Sequence, residues 1–131
     1  MTPCIDFGRA CCAALLALLL SACAGATEPL LPGVPREVKG LRINPYELHE
    51  DCAKMSPGDV LDYHFETQRP VAFNIHYHEG KSVVLPVSRD NVTTDSGTFQ
   101  PLAAHEYCLM WEAGREGAIL DYRAKLIRAR R

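Results

Sequence analysis

The sequence has no His-Glu-x-x-His signature, no Gly-x-Ser-x-Gly elbow and no glycine-rich phosphate loop. Each absence removes a familiar catalytic class: zinc peptidases, serine hydrolases and nucleotide-phosphate enzymes. A serine near a histidine can be found, Ser82 or Ser88 with His78, but almost any chain supplies such a pair by chance. Enzyme function is therefore not expected. Charge of one sign is lacking as well. Lys and Arg total 14 against 16 Asp and Glu, and the formal charge of −2 implies neither a nucleic-acid partner nor an acidic substrate. There is no internal repeat, no low-complexity tract and no long stretch of helical period. The one long apolar run, residues 10–20, is too short to span a bilayer comfortably as a mature helix.

That run belongs to a leader. Arg9 precedes it, and Leu20-Ser21-Ala22-Cys23 follows it. The pattern resembles a bacterial lipobox, in which small residues precede a cysteine that is lipidated, with palmitate among its acyl chains, and becomes the new N-terminus. Ordinary secretory cleavage near Ala22 or Ala24 is the alternative. Residues 1–22 are thus expected as a lipoprotein signal peptide and Cys23 as the lipidation site. Ala24, rather than Asp, after the cysteine points to the outer membrane of a diderm envelope, facing the periplasm.

Of the six cysteines, Cys4, Cys11 and Cys12 leave with the leader and Cys23 carries lipid. Cys52 and Cys108 remain, an even pair in an oxidising compartment, which points to a disulfide; two buried thiols are the alternative. Residues 23–40 hold Pro29, Pro32, Gly33 and Pro35 and read as a semi-extended tether. Residues 41–128 read as one small domain.

Within that domain, short alternating runs are separated by turn signals. The central stretch, residues 60–80, carries three of the five histidines. Leu61, Tyr63 and Phe65 alternate with Asp62, His64 and Glu66; Val71, Phe73, Ile75 and Tyr77 alternate with Ala72, Asn74, His76 and His78. Thr67-Gln68-Arg69-Pro70 between them reads as a turn. A hairpin centred near Arg69 would set Phe65 opposite Phe73, Asp62 opposite His76 and His64 opposite Asn74. Ser56-Pro57-Gly58-Asp59, His78-Glu79-Gly80-Lys81, Asp95-Ser96-Gly97 and residues 113–117 read as further turns. Residues 106–112 form a strand with Tyr107, Leu109 and Trp111 on one face and Cys108 and Met110 on the other. Residues 118–127 form the last. Seven to eight short strands without a helix predict an antiparallel β-sandwich. The basic tail, Arg123 to Arg131, is a solvated strand face or a point of contact with anionic lipid headgroups.

One arrangement carries chemical meaning. His76 and His78, two apart on a strand, point the same way, and His64 from the neighbouring strand would complete a ligand set for Zn²⁺ or Cu²⁺ with Asp62 or Glu66. The same face, Asp62, His64, Asn74, His76 and His78, is the expected contact surface for a protein or small-ligand partner. A histidine titrating near neutrality there would also respond to pH. His49 and His105 stand alone.

The order of features has a parallel. Cys52 is followed by Ser56-Pro57-Gly58-Asp59-Val60-Leu61, then Tyr63-His64-Phe65, Pro70-Val71 and Phe73-Asn74-Ile75. Further on come Gly97-Thr98-Phe99 and Tyr107-Cys108-Leu109-Met110-Trp111. Over residues 41–127 this resembles the GOLD-like (Golgi dynamics) β-sandwich domain, more closely its bacterial relatives in secreted and lipid-anchored proteins. The resemblance implies a jelly-roll-like sandwich, a bridge between strands at Cys52 and Cys108, and binding rather than catalysis. The chain departs from the pattern at His105, where a glycine is usual, and at Glu112-Ala113, where an asparagine is usual. The leading expectation is a lipid-anchored binding module; the alternative is a periplasmic Zn or Cu protein using the histidines.

Overall fold

The organising strand does not turn back where its composition suggests. In a computed structural model describing residues 28–130, the stretch from Val60 to Glu79 is one 20-residue strand. The elements are β1 (Arg36–Ile43), β2 (Leu48–Met55), β3 (Val60–Glu79), β4 (Ser82–Phe99), β5 (His105–Ala113) and β6 (Ala118–Ile127). All pairings between them are antiparallel, and no described residue is helical. The expected signal peptide, residues 1–22, and the expected lipidation site, Cys23, lie outside the described residues.

β3 serves both halves of a curled sheet. Its first part, Val60 to Thr67, pairs with β6, which pairs with β1. Its second part, Val71 to His76, pairs with β5, which pairs with β2. Along its other edge it pairs with β4 throughout. Two four-stranded halves, β1–β6–β3–β4 and β2–β5–β3–β4, result, and they face each other as in a sandwich. The corner shows in the register: six residues of β3, Glu66 to Val71, span only three of β4, Thr94 to Val92. β3 takes the longer path round the bend. Pro70 falls there, where its missing N–H costs no ladder bond.

The expected hairpin about Arg69 is therefore corrected. Phe65 and Phe73 do not pair as opposite residues of a hairpin; they meet across the sandwich with ring centroids 4.7 Å apart. Because Phe65 and Val71 are six positions apart, the inward parity survives the bend. Leu61, Tyr63, Phe65, Val71, Phe73 and Ile75 all line one core with Leu109, Trp111, Leu120, Tyr122 and Leu126. Complete burial of each large apolar side chain contributes about 1.5–3 kcal/mol.

β4 likewise absorbs the turn expected at Asp95-Ser96-Gly97, giving six strands among the described residues rather than seven to eight. Gly97 sits opposite Tyr63, and a Cβ there would lie 2.9 Å from the Tyr63 hydroxyl. The glycine makes room for the ring.

Part of the stretch expected as a tether, residues 23–40, belongs to the folded domain. Residues 36–40 belong to β1, and Leu30 is buried. The Leu30 N–H donates to the Cys52 carbonyl on one half, and the Gly33 N–H donates to the Leu126 carbonyl on the other. The entering chain thus stitches the two halves together along their open side.

Candidate functional site

The two outer faces of the sandwich differ in chemistry. On the β1–β6–β3–β4 half, charges pair across strands, Arg123 with Glu37 at 3.2 Å and Lys39 with Asp121 at 3.6 Å, and within β3 His64 Nε2 lies 3.5 Å from a Glu66 carboxylate oxygen. Asp62 accepts a hydrogen bond from the Thr98 hydroxyl at 2.8 Å. These are solvated pairs of small energetic weight.

The β2–β5–β3–β4 half presents something else. Its outward residues fall in rows set by the register. Glu50, Met110, Asn74 and Ser88 make one row; Cys52, Cys108 and His76 the next; Lys54 and Glu106 a third, with His78 opposite Val83 beyond them. Cys52 and Cys108 form a disulfide between directly opposed residues, Cα atoms 4.0 Å apart. Leu85 and Pro86 occupy the bulge of β4 opposite His76. Leu48, Val83 and Leu85 are exposed.

His76 sits in the middle of this face yet is only 4% exposed, and Asn74 only 6%. Glu50 reaches across β5 to place a carboxylate oxygen 3.5 Å from His76 Nε2, and the His78 ring meets it edge-on at 5.3 Å. His76 Nδ1 donates to Asn74 Oδ1 at 2.9 Å, since that oxygen can only accept. Burial pushes the His76 pKa below the usual imidazole value; Glu50 pulls the other way, and His78 adds to the lowering. Neutral His76 turns a lone pair toward Glu50, and protonation would turn that contact into a charged hydrogen bond.

The histidine set expected from the sequence divides. Asn74, His76 and His78 share one outer face, whereas Asp62 and His64 lie on the opposite one, because the bend carries the second part of β3 to the other half. Neither the Asp62–His76 nor the His64–Asn74 pairing forms; His64 faces Ser96 and Arg123 instead. Among the described residues no group of three His, Cys, Asp or Glu is placed to hold a metal ion. His76 and His78, with Glu50 nearby, are what remains of the Zn or Cu set.

Two polar clusters have no counterpart in the sequence reading. Asp51, buried on the inward face of β2, accepts hydrogen bonds from Arg36 at 2.7 Å and from the Tyr122 hydroxyl at 2.9 Å. Burial raises its pKa, with the Tyr122 and Arg36 contacts opposing. Burial also drives the Tyr122 hydroxyl up, and the adjacent Asp51 carboxylate adds to it. His49, stacked on Trp111, contacts the Tyr122 hydroxyl at 3.3 Å, and burial lowers its pKa. The indole N–H of Trp111 is buried without a partner among the described residues. The cluster joins β1 and β6 to β2 across the open side. One signal marked it: Asp51 shares parity with apolar Ala53 and Met55.

Asp59 anchors the second cluster. It is fully buried and accepts from the Ser56 and Ala129 N–H groups and from Arg128 at 2.7 Å. Burial opposes its charge, but those two N–H groups and the guanidinium prevail and hold the carboxyl at about 2. Beside this clamp lies a cleft of about 720 Å³ lined by Lys54, Met55, His105, Glu106 and Arg128 among others. His105 stacks on Tyr77 with centroids 4.1 Å apart.

No protein-family model and no curated protein matches the chain. Among solved structures, the chain is similar to a de novo designed double-stranded β-helix, determined by solution NMR, at 19% identity and a TM-score of 0.36. The match covers 70% of this chain and 97% of the design.

Proposed function

We propose that this chain is a lipid-anchored protein of the bacterial envelope, attached at Cys23 to the outer membrane and facing the periplasm. In this reading its sandwich is a non-catalytic module that binds a protein partner through the outer face of β2–β5–β3–β4. The observation that carries it is the asymmetry of the two outer faces. One carries the cross-strand ion pairs Arg123–Glu37 and Lys39–Asp121. The other sets exposed Leu48, Val83 and Leu85 and half-buried Met110 around a disulfide and a shielded histidine. Exposed apolar side chains gathered on one face mark interaction surfaces. Strand spacing and rise give that face roughly 20 by 23 Å. With its rim it suits the lower end of protein interfaces. An outer sheet face of that breadth suits a protein better than a small ligand, which takes a concave site. The resemblance to GOLD-like domains supports binding in kind.

The test compares partner recovery after in-cell cross-linking of the intact lipoprotein. A reproducible partner is expected with the wild type and with Arg123→Asp, and its loss is expected with Leu85→Asp and with Met110→Asp. No partner from the wild type, or equal loss from Arg123→Asp, would overturn the proposal.

A further inference from the structure

The sandwich has two unlike ends. At one, the entering segment, the turn over 56–59, the β3–β4 turn, the loop over 100–104 and the tail after β6 come together. The register places them there: Met55 lies opposite His105, Glu79 opposite Ser82, Leu61 opposite Phe99 and Val60 opposite Ile127. The Asp59–Arg128 clamp ties two of these segments, the turn over 56–59 and the tail after β6, to each other. At the other end lie the turns over 44–47 and 114–117 and the corner of β3, marked by Ile43 opposite Ala118 and Val71 opposite Ala113.

Exposed apolar side chains concentrate at the first end. Leu102 is 96% exposed at the tip of its loop, Leu31 is 62% exposed, and Val34 and Ile127 are exposed beside them. Leu31 and Val34 are the outer residues of a Pro32-Gly33 turn, closed by the Val34 N–H on the Leu31 carbonyl. Gly33, at a φ of 77°, supplies the positive φ such a turn needs at its third residue. The Gly33 N–H bond to Leu126 holds this turn against the tail that carries Ile127. Lys54, Lys81, Lys125, Arg128 and Arg130 stand at this end among Glu28, Asp59, Glu79 and Glu106. Charge is nearly balanced there, so the apolar side chains decide what the end prefers.

The chain enters the fold at this same end. Glu28, the first described residue, is five positions beyond Cys23. Five residues span at most about 18 Å fully extended. We infer that this end of the sandwich rests on the bilayer surface, with Leu31, Val34, Leu102 and Ile127 seated among the phospholipid headgroups. The inference relies on the anchor reading above. A lipid on Cys23 keeps that end within about 18 Å of the bilayer surface, and contact buries the four side chains that water otherwise wets. Lys and Arg beside them keep their charges at phosphate level while their stems follow the apolar surface. The opposite end, with exposed Tyr46, then points into the periplasm. The outer face bearing Leu85 stands upright between the two and stays open to a partner.

The test uses the full lipidated protein in vesicles of phosphatidylethanolamine and phosphatidylglycerol, with or without brominated acyl chains, which quench nearby tryptophan. Trp111 is buried and supplies a constant background. Leu102→Trp is expected to lose at least half of its added emission in brominated vesicles and to shift to the blue; Tyr46→Trp is expected to change in neither respect. Mass spectrometry of the N-terminal peptide and co-flotation with vesicles report the anchor separately. A lipidated chain that co-floats while position 102 stays unquenched overturns the docking alone. A chain without lipid on Cys23 overturns the anchor reading, and the inference with it.

Discussion

Replacing Cys52 and Cys108 together by alanine opens a loop whose ends are 56 positions apart in sequence. In the chain-entropy treatment a loop of that length restricts the unfolded chain by about 14 cal/mol/K, or about 4 kcal/mol at 25 °C. The folded state is little altered, because the two residues are already opposed in the β2–β5 ladder and alanine keeps each Cβ. Measured losses often fall short of the entropic figure, so about 2–4 kcal/mol is expected. For a domain of roughly 100 residues this corresponds to a fall in Tm of about 10–18 °C. Urea unfolding followed by circular dichroism reads both the midpoint and the slope. The midpoint should fall, and the slope should rise because the opened chain exposes more surface. A loss below about 1 kcal/mol would refute the reasoning, since it would mean the bridge restricts nothing the unfolded chain would otherwise explore.

The pKa directions give a pH dependence. Burial depresses His76 below its unfolded value of 6.5, so between that value and its folded pKa the unfolded chain binds more protons. The stability this group contributes is present above pH 6.5 and is lost as pH falls through that window. His76→Gln should flatten the fall in urea midpoint between pH 7.5 and 5.5; an unchanged slope would contradict the assignment. Asp59→Asn should cost about 1–3 kcal/mol, because the buried oxygens accept from two N–H groups and Arg128. A change under 0.5 kcal/mol, taken as roughly the threshold of a neutral surface substitution, would contradict it. In Zn²⁺ or Cu²⁺ titrations by calorimetry, His64→Ala should leave the isotherm as in the wild type, since His64 lies on the other half of the sandwich. A binding step lost with His64 would contradict that placement.

Strand content was legible wherever parity and turn chemistry agreed. Residues 118–127 alternate cleanly between flanking turns and form β6 with those bounds. In β5 the split of Tyr107, Leu109 and Trp111 from Cys108 and Met110 is as the alternation predicts. The corner of β3 was not legible. The even separation of six positions from Phe65 to Val71 keeps the inward set in phase whether the chain reverses or merely bends, and Thr-Gln-Arg-Pro suits either. From that ambiguity follows the division of the site: the shared face of Asn74, His76 and His78 was readable, but Asp62 and His64 were assigned to it across a hairpin that does not exist. Gly97 resembled a turn glycine because composition does not reveal that the Tyr63 ring lies over it. The proline-rich entry resembled a free tether because two backbone bonds and buried Leu30, rather than any periodicity, tie it down.

All of the functional reading depends on β3 passing as one strand from one half of the sandwich to the other. Spin labels at positions 66 and 72, in the protein with its disulfide intact, test this most directly. A hairpin about Arg69 would set the two positions opposite each other, about 5 Å apart. The bent strand sends them to opposite outer faces of halves packed about 10 Å apart, with outward side chains adding to the span, so pulsed dipolar spectroscopy should give a separation above about 20 Å. A distance below about 10 Å, read as strong line broadening, would contradict the account.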